Sequence, residues 1–172
     1  MDWPLVIILS VSILVLVVVL RRDQRPERSA QQEAAATLGL VARRGRVVGT
    51  LDGIGVRHWV VRGEHDHSLL FAAEPPGLPD LEVRRRPKRA PEDAMVTGDA
   101  AFDECFVVTT AGPGALAWLD VRRRRTMIDL AGDVADVRIR RGAVEVQVDG
   151  YLRRADQVVE PLRRIVDVAR GN

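Results

Sequence analysis

Arg46 to Arg62, RVVGTLDGIGVRHWVVR, decides how the rest of the chain is read. Arg46–Thr50 and Ile54–Arg62 are rich in β-branched residues and flank Asp52-Gly53. An Asp-Gly pair between such segments predicts a hairpin, because glycine accepts the positive φ that a tight turn requires. In the second strand Val56, His58 and Val60 alternate with Arg57, Trp59 and Val61, giving one apolar face and one mixed face. The sheet is therefore antiparallel with one side packed.

Working outward, Gly63–His67 reads as a turn and Ser68–Glu74 as a third strand. Pro75, Pro76, Gly77 and Pro79 then interrupt regular structure. Leu81–Arg86 is a short fourth strand, and Pro87–Asp93 a basic loop. Ala101–Thr110 predicts a strand with Phe102, Phe106 and Val108 on one face. Ala115–Leu119 is a short helix after Gly112-Pro113-Gly114. Asp120 caps a further helix reaching Leu130, with Met127, Ile128 and Leu130 inward and Arg122–Arg125 mostly outward. Asp136–Arg140 and Ala143–Val148 form a second hairpin around Arg141-Gly142, with Val144, Val146 and Val148 sharing a face. The C-terminal segment places Val158, Val159, Leu162, Ile165, Val166 and Ala169 on one continuous stripe, an amphipathic helix. Pro161 predicts a kink there, or a helix starting near Glu160.

Toward the other end, Ser29 is positioned to cap a short helix, Ala30–Leu38, that Gly39 ends. Gln31, Gln32 and Glu33 read as solvent-facing, and Ala35, Leu38 and Leu40 as its apolar side. Before it, Trp3–Leu20 has no charged residue and is followed by Arg21 and Arg22. At about 1.5 Å per residue this run spans roughly 27 Å, the thickness of a bilayer core. It reads as an uncleaved transmembrane helix with Trp3, Arg21 and Arg22 as its flanks; no cleavage site follows it. Arg21, Arg22, Arg25 and Arg28 after the span predict an N-terminus outside and a cytoplasmic C-terminal domain, at a bacterial inner membrane. The expected organisation is an anchor at 1–22, a linker and short helix at 23–40, and an α+β domain of hairpins packed on helices at 41–172, with a sub-boundary near 87–96.

Composition narrows the function classes. Of 26 basic residues only Lys88 is lysine, which reflects an arginine-biased composition, and the net charge is only +2. No global nucleic-acid signature follows, and a nucleic-acid partner is not expected. The single cysteine, Cys105, lies in a strand-like apolar segment and reads as an inert core residue.

The stretch Thr97–Phe106, TGDAAFDECF, is the most motif-like. Asp99, Asp103 and Glu104 form a carboxylate cluster suited to acid–base work or a hard metal, or else a turn beside core phenylalanines. With the apolar run before it and the helix–hairpin–helix order after it, this stretch resembles a group of bacterial membrane-anchored proteins of unknown function, over Thr97–Ala169. The resemblance implies no activity. His65 and His67, two apart in Glu64–His67, with His58 as a third, have the spacing of a metal pair or of an ordinary turn. No phosphate loop, dinucleotide fingerprint or nucleophile elbow is present.

Two basic runs complete the list: Arg84, Arg85, Arg86, Lys88 and Arg89, and Arg122, Arg123, Arg124 and Arg125. They read as a surface for a partner or for anionic lipid, or as a solvated face. No residue is assigned to catalysis, cofactor binding or a metal, and no cofactor is expected. The functional expectation is a non-enzymatic, membrane-tethered adaptor or accessory subunit with a protein partner of unstated identity. The alternatives are lipid docking through the arginine runs, or a metal protein or enzyme using the acidic or histidine cluster.

Overall fold

The computed structural model describes residues 25–63, 66–89, 91–92 and 94–171. In chain order the elements are α1 (Arg25–Leu38), β1 (Val41–Arg43), β2 (Arg46–Leu51), β3 (Ile54–Arg62), β4 (His67–Glu74), β5 (Leu81–Arg85), α2 (Ala100–Cys105), β6 (Phe106–Ala111), α3 (Ala115–Trp118), α4 (Val121–Asp133), β7 (Asp136–Arg140), β8 (Ala143–Asp149) and α5 (Asp156–Arg170). The strands form one eight-stranded sheet in the order β1-β2-β3-β4-β8-β7-β5-β6, with antiparallel pairing throughout.

Three two-residue turns set the register. Arg44-Gly45, Asp52-Gly53 and Arg141-Gly142 each have positive φ at both positions, the geometry whose twist matches the flanking strands. The predicted turns at 52–53 and 141–142 are thus present. The turn at 44–45, which adds β1, was not expected. It was missed because the strand it adds, Val41–Arg43, has only three residues and shows no alternation along the chain.

Helices lie on one side of the sheet. That side carries Val47, Val56, His58, Phe71, Val144, Val146, Val137 and Ile139, all buried. From α5 it receives Val158, Leu162, Ile165, Val166, Val168 and Ala169, and from α4 Met127 and Leu130. Helix α5 crosses β3, β4 and β8, while α1 packs on α5, β1 and β2. The other side holds the alternate residues, among them Val41, Val48 and Val61, which are 59%, 38% and 44% exposed.

Several expectations are corrected. Among the described residues no helix is long and apolar enough to cross a membrane. The longest, α5, has 15 residues and spends its apolar stripe on the sheet. The expected fold of a transmembrane helix followed by hairpins therefore gives way to an α+β fold built on one continuous, antiparallel sheet. The single-pass, inner-membrane placement with a cytoplasmic domain loses its support in the same way. The run Trp3–Leu20, with Arg21 and Arg22, lies outside the described residues.

Ala101–Thr110 is a helix followed by a strand. Asp99 caps α2 by accepting from the Phe102 N–H at 3.2 Å, and the strand begins only at Phe106. Phe102 and Phe106 still meet, with ring centroids 4.9 Å apart, so the apolar pair was read correctly and its backbone was not. Cys105, at the end of α2, is exposed rather than a core residue. Gln31 is buried, with Nε2 donating to the Gly45 carbonyl at 3.0 Å. Pro161 sits inside a helix that already starts at Asp156; the lost hydrogen bond is tolerated because the residues around it are anchored by burial.

His58 is fully buried under this helix layer. Its ring stacks on Phe71 at 4.6 Å, and Nδ1 lies 3.0 Å from the Leu70 carbonyl oxygen. A carbonyl only accepts, so Nδ1 carries the proton, while Nε2 has no partner. Burial lowers the imidazole pKa from 6.5 to about 4, against the opposing effect of the Leu70 bond. The unfolded chain therefore binds one more proton than the folded chain between these values. Stability from this group is complete above pH 6.5 and is lost as pH falls toward 4, by about 3 kcal/mol in all. Urea unfolding between pH 7 and 4 checks this: the wild-type chain loses about that much more stability than a His58→Leu variant.

A cationic groove at the end of the sheet

The predicted site residues do not converge. Arg84 and Arg86 are exposed, as are Lys88 and Arg89 beyond β5, but Arg85 turns inward. Its guanidinium donates to the Ala131 and Val134 carbonyls, the latter at 2.9 Å, and so serves the open C-terminal end of α4. Arg86 donates to the Asp103 carbonyl. In the second run Arg122 and Arg125 are exposed, whereas the Arg123 and Arg124 side chains are each only 15% exposed. Arg123 lies 4.5 Å over the Trp118 ring and bonds the Asp120 carboxylate at 2.7 Å and the Trp118 carbonyl at 2.9 Å. It also bonds the carbonyls of Ala169 and Arg170 at 3.3 and 3.0 Å, the last turn of α5. Arg124 pairs with Asp99 at 3.1 Å. Arg122–Arg125 being mostly outward is thus corrected for two of the four: uncapped carbonyls and carboxylates recruit them. Arg85 reaches one end of α4 and Arg122–Arg125 occupy the other, so the runs form no common patch. Trp3, Arg21 and Arg22 lie outside the described residues.

The acidic cluster is likewise consumed by structure. Asp99 caps α2 and holds Arg124, while Asp103 accepts from the backbone N–H and hydroxyl of Thr97. Glu104 is exposed. Of the histidines, His58 is in the core and His67 meets the Tyr151 ring at a tilt, with centroids 4.3 Å apart. His67 pairs across the sheet with Arg62, four residues from His58, roughly 13 Å away along β3. His65 lies outside the described residues.

What the fold does assemble is a groove of about 540 Å³ between α1 and the ends of β1, β2 and β3. Its walls hold Arg28, Arg43, Arg44, Arg46 and Arg62 against one acidic residue, Glu27, together with Gln31, Gln32 and Trp59. Hairpin register does the assembling. Arg43 lies opposite Arg46, and Arg46 opposite Trp59, so all three share a face. Arg62 forms an ion pair with Glu27, whose side chain is 11% exposed, and this ties the end of β3 to α1. Gln31 fixes α1 to the turn at Gly45. Arg57 lies 5.7 Å from the Trp59 ring centre on the same open face. Arg43, Arg44 and Arg46 are close in sequence, but Arg28, Trp59 and Arg62 are not, so reading along the chain misses the assembly. The cue was the cross-strand register, available only once β1 is recognised.

No family model and no curated protein matches the chain. Among solved structures, the fold is similar to the crystal structure of the mycobacterial trehalose monomycolate transport factor A, TtfA. The TM-score is 0.58 at 14% sequence identity, covering 86% of this chain and 96% of that one. At that identity the likeness establishes a shared fold.

Arg123 supplies a direct check on the split between structural and free arginines. Arg123→Ala removes bonds to two helix ends and is expected to cost about 2–4 kcal/mol, whereas Arg122→Ala stays within about 0.5 kcal/mol. Denaturant midpoints of the two variants measure the difference.

Proposed function

We propose that this chain is a non-enzymatic accessory or adaptor subunit that acts by binding a protein partner. The observation that carries the reading is the one-sided sheet. Helices α1, α4 and α5 pack against one face, and among the described residues no helix covers the other. On that open face the row Arg43–Arg46–Trp59–Leu70–Gln147 runs across five strands, beside the exposed Val41, Val48 and Val61. Aromatic and arginine anchors flanked by exposed aliphatics are the composition of protein-binding surfaces. The likeness in fold to a protein named as a transport factor supports an accessory role.

Lipid docking through Arg84–Arg89 and Arg122–Arg125 has less support, since Arg85, Arg123 and Arg124 are held by the protein's own acceptors. The acidic and histidine clusters offer a metal or a reaction no assembled site.

The test is position-specific photocrosslinking in the native cell. A benzophenone amino acid at Val48 or Val61 is expected to capture the same discrete protein. One at Glu160, exposed on α5, is expected to give none. Equal capture from all three positions, or from none, contradicts the reading.

A further inference from the structure

We propose that the cationic groove between α1 and the β1–β2–β3 end of the sheet receives an acidic peptide segment of the partner protein. The proposal rests on the adaptor reading and adds the chemistry of the partner.

The charge balance of the groove is the first support. Glu27 is already neutralised by Arg62. Arg43, Arg44 and Arg46 fall within four consecutive positions of one hairpin, all exposed, and none of them has an ion pair among the described residues. Many arginines in this fold are drawn to carboxylates, among them Arg57 to Glu74, Arg138 and Arg140 to Glu145, and Arg170 to Asp52. On the Arg43–Arg46 hairpin three arginines instead line one groove, two of them directly opposite each other in the strand register, and their like charges favour an incoming anion.

The shape of the cationic lining selects the class of anion. The arginines come from α1, β1, the turn, β2 and β3, with Gln32 and the part-buried Trp59 among them. They are distributed along a groove rather than aimed at one point, and a single oxyanion fills a small part of about 540 Å³. A chain bearing several spaced carboxylates meets several guanidinium forks at once. Its backbone amides find a partner in Gln32, and its aliphatic parts find Trp59, Ala42 and Val60. A concave lining also suits an inserted segment better than a flat bilayer surface, and recognition of acidic motifs by arginine clusters is an established mode of peptide binding.

The probe is a fluorescein-labelled hexaglutamate peptide, titrated by anisotropy against the full-length chain. Two charge-reversal variants carry the same change in net charge: Arg43→Glu/Arg44→Glu/Arg46→Glu in the groove and Arg84→Glu/Lys88→Glu/Arg89→Glu outside it. The expected result is saturable binding that weakens about tenfold or more in the groove variant and less than about threefold in the other. A neutral variant, Arg43→Gln/Arg44→Gln/Arg46→Gln, shows the same loss with the hairpin unburdened by repulsion from Glu27, and thermal unfolding confirms that each variant is folded. Equal weakening by both reversals, or no binding, overturns the proposal. So does displacement of the peptide by millimolar inorganic phosphate at constant ionic strength, which assigns the groove to a small oxyanion. Groove-dependent binding to phosphatidylglycerol vesicles without peptide binding overturns it in favour of lipid. If the peptide fails while crosslinking from Val48 persists, the adaptor reading stands and only the groove is lost.

Discussion

The antiparallel pairing of β4 with β8 is the constraint on which the rest of this structure depends. Six cross-strand pairs, from Ser68↔Asp149 to Ala73↔Val144, join segments that lie 81 positions apart at the first pair. Closing so long a loop costs entropy before any contact returns it. Burial makes the closure favourable. Phe71 and Val146 face each other across the seam without solvent exposure, and α5 lays Leu162 and Ile165 over the same region. Because α5 follows β8 directly and also packs on α1, one C-terminal helix fastens both halves of the sheet.

With the helices committed to one face, the sheet's charged side chains divide into two kinds. Arg85 and Arg123 each serve the carbonyl end of another element's helix, α4 for the first and α5 for the second. A cation there meets carbonyls that have no helical partner as well as the negative end of the helix dipole. Among the cations left over, hairpin register gathers a group at Arg43–Arg46 beside Trp59. The surface available for recognition is therefore what remains after the fold has capped its own helices. That explains why the two arginine runs and the assembled groove do not coincide.

Much of the fold was legible in the sequence because the signals were local. Asp52-Gly53 and Arg141-Gly142 between alternating strands specified two hairpins, Asp120 specified the start of α4, and the Val158–Ala169 stripe specified α5 despite Pro161. What failed depended on tertiary context. Gln31 is polar yet buried, because the Gly45 carbonyl needed a donor. Cys105 follows an apolar pattern yet is exposed, because α2 intervenes where a strand was read. Arg123 and Arg124 look like solvated charge until Trp118, Asp120, Asp99 and the end of α5 surround them. The candidate groove was not legible at all: it is a property of strand register and of a three-residue strand, β1, that carries only a weak pattern. The membrane-anchored architecture expected from the N-terminal sequence finds no helix among the described residues able to carry it.

The β4–β8 seam makes one cooperative sheet, whose helix-free face and arginine groove exist only together with it. Native-state amide hydrogen exchange over a denaturant series tests this most directly. The slowest amides of β3, β4 and β8 are expected to converge on a single opening free energy equal to that of global unfolding. Convergence of β3 and β4 on one value and of β8 and β7 on a different, lower one would contradict it.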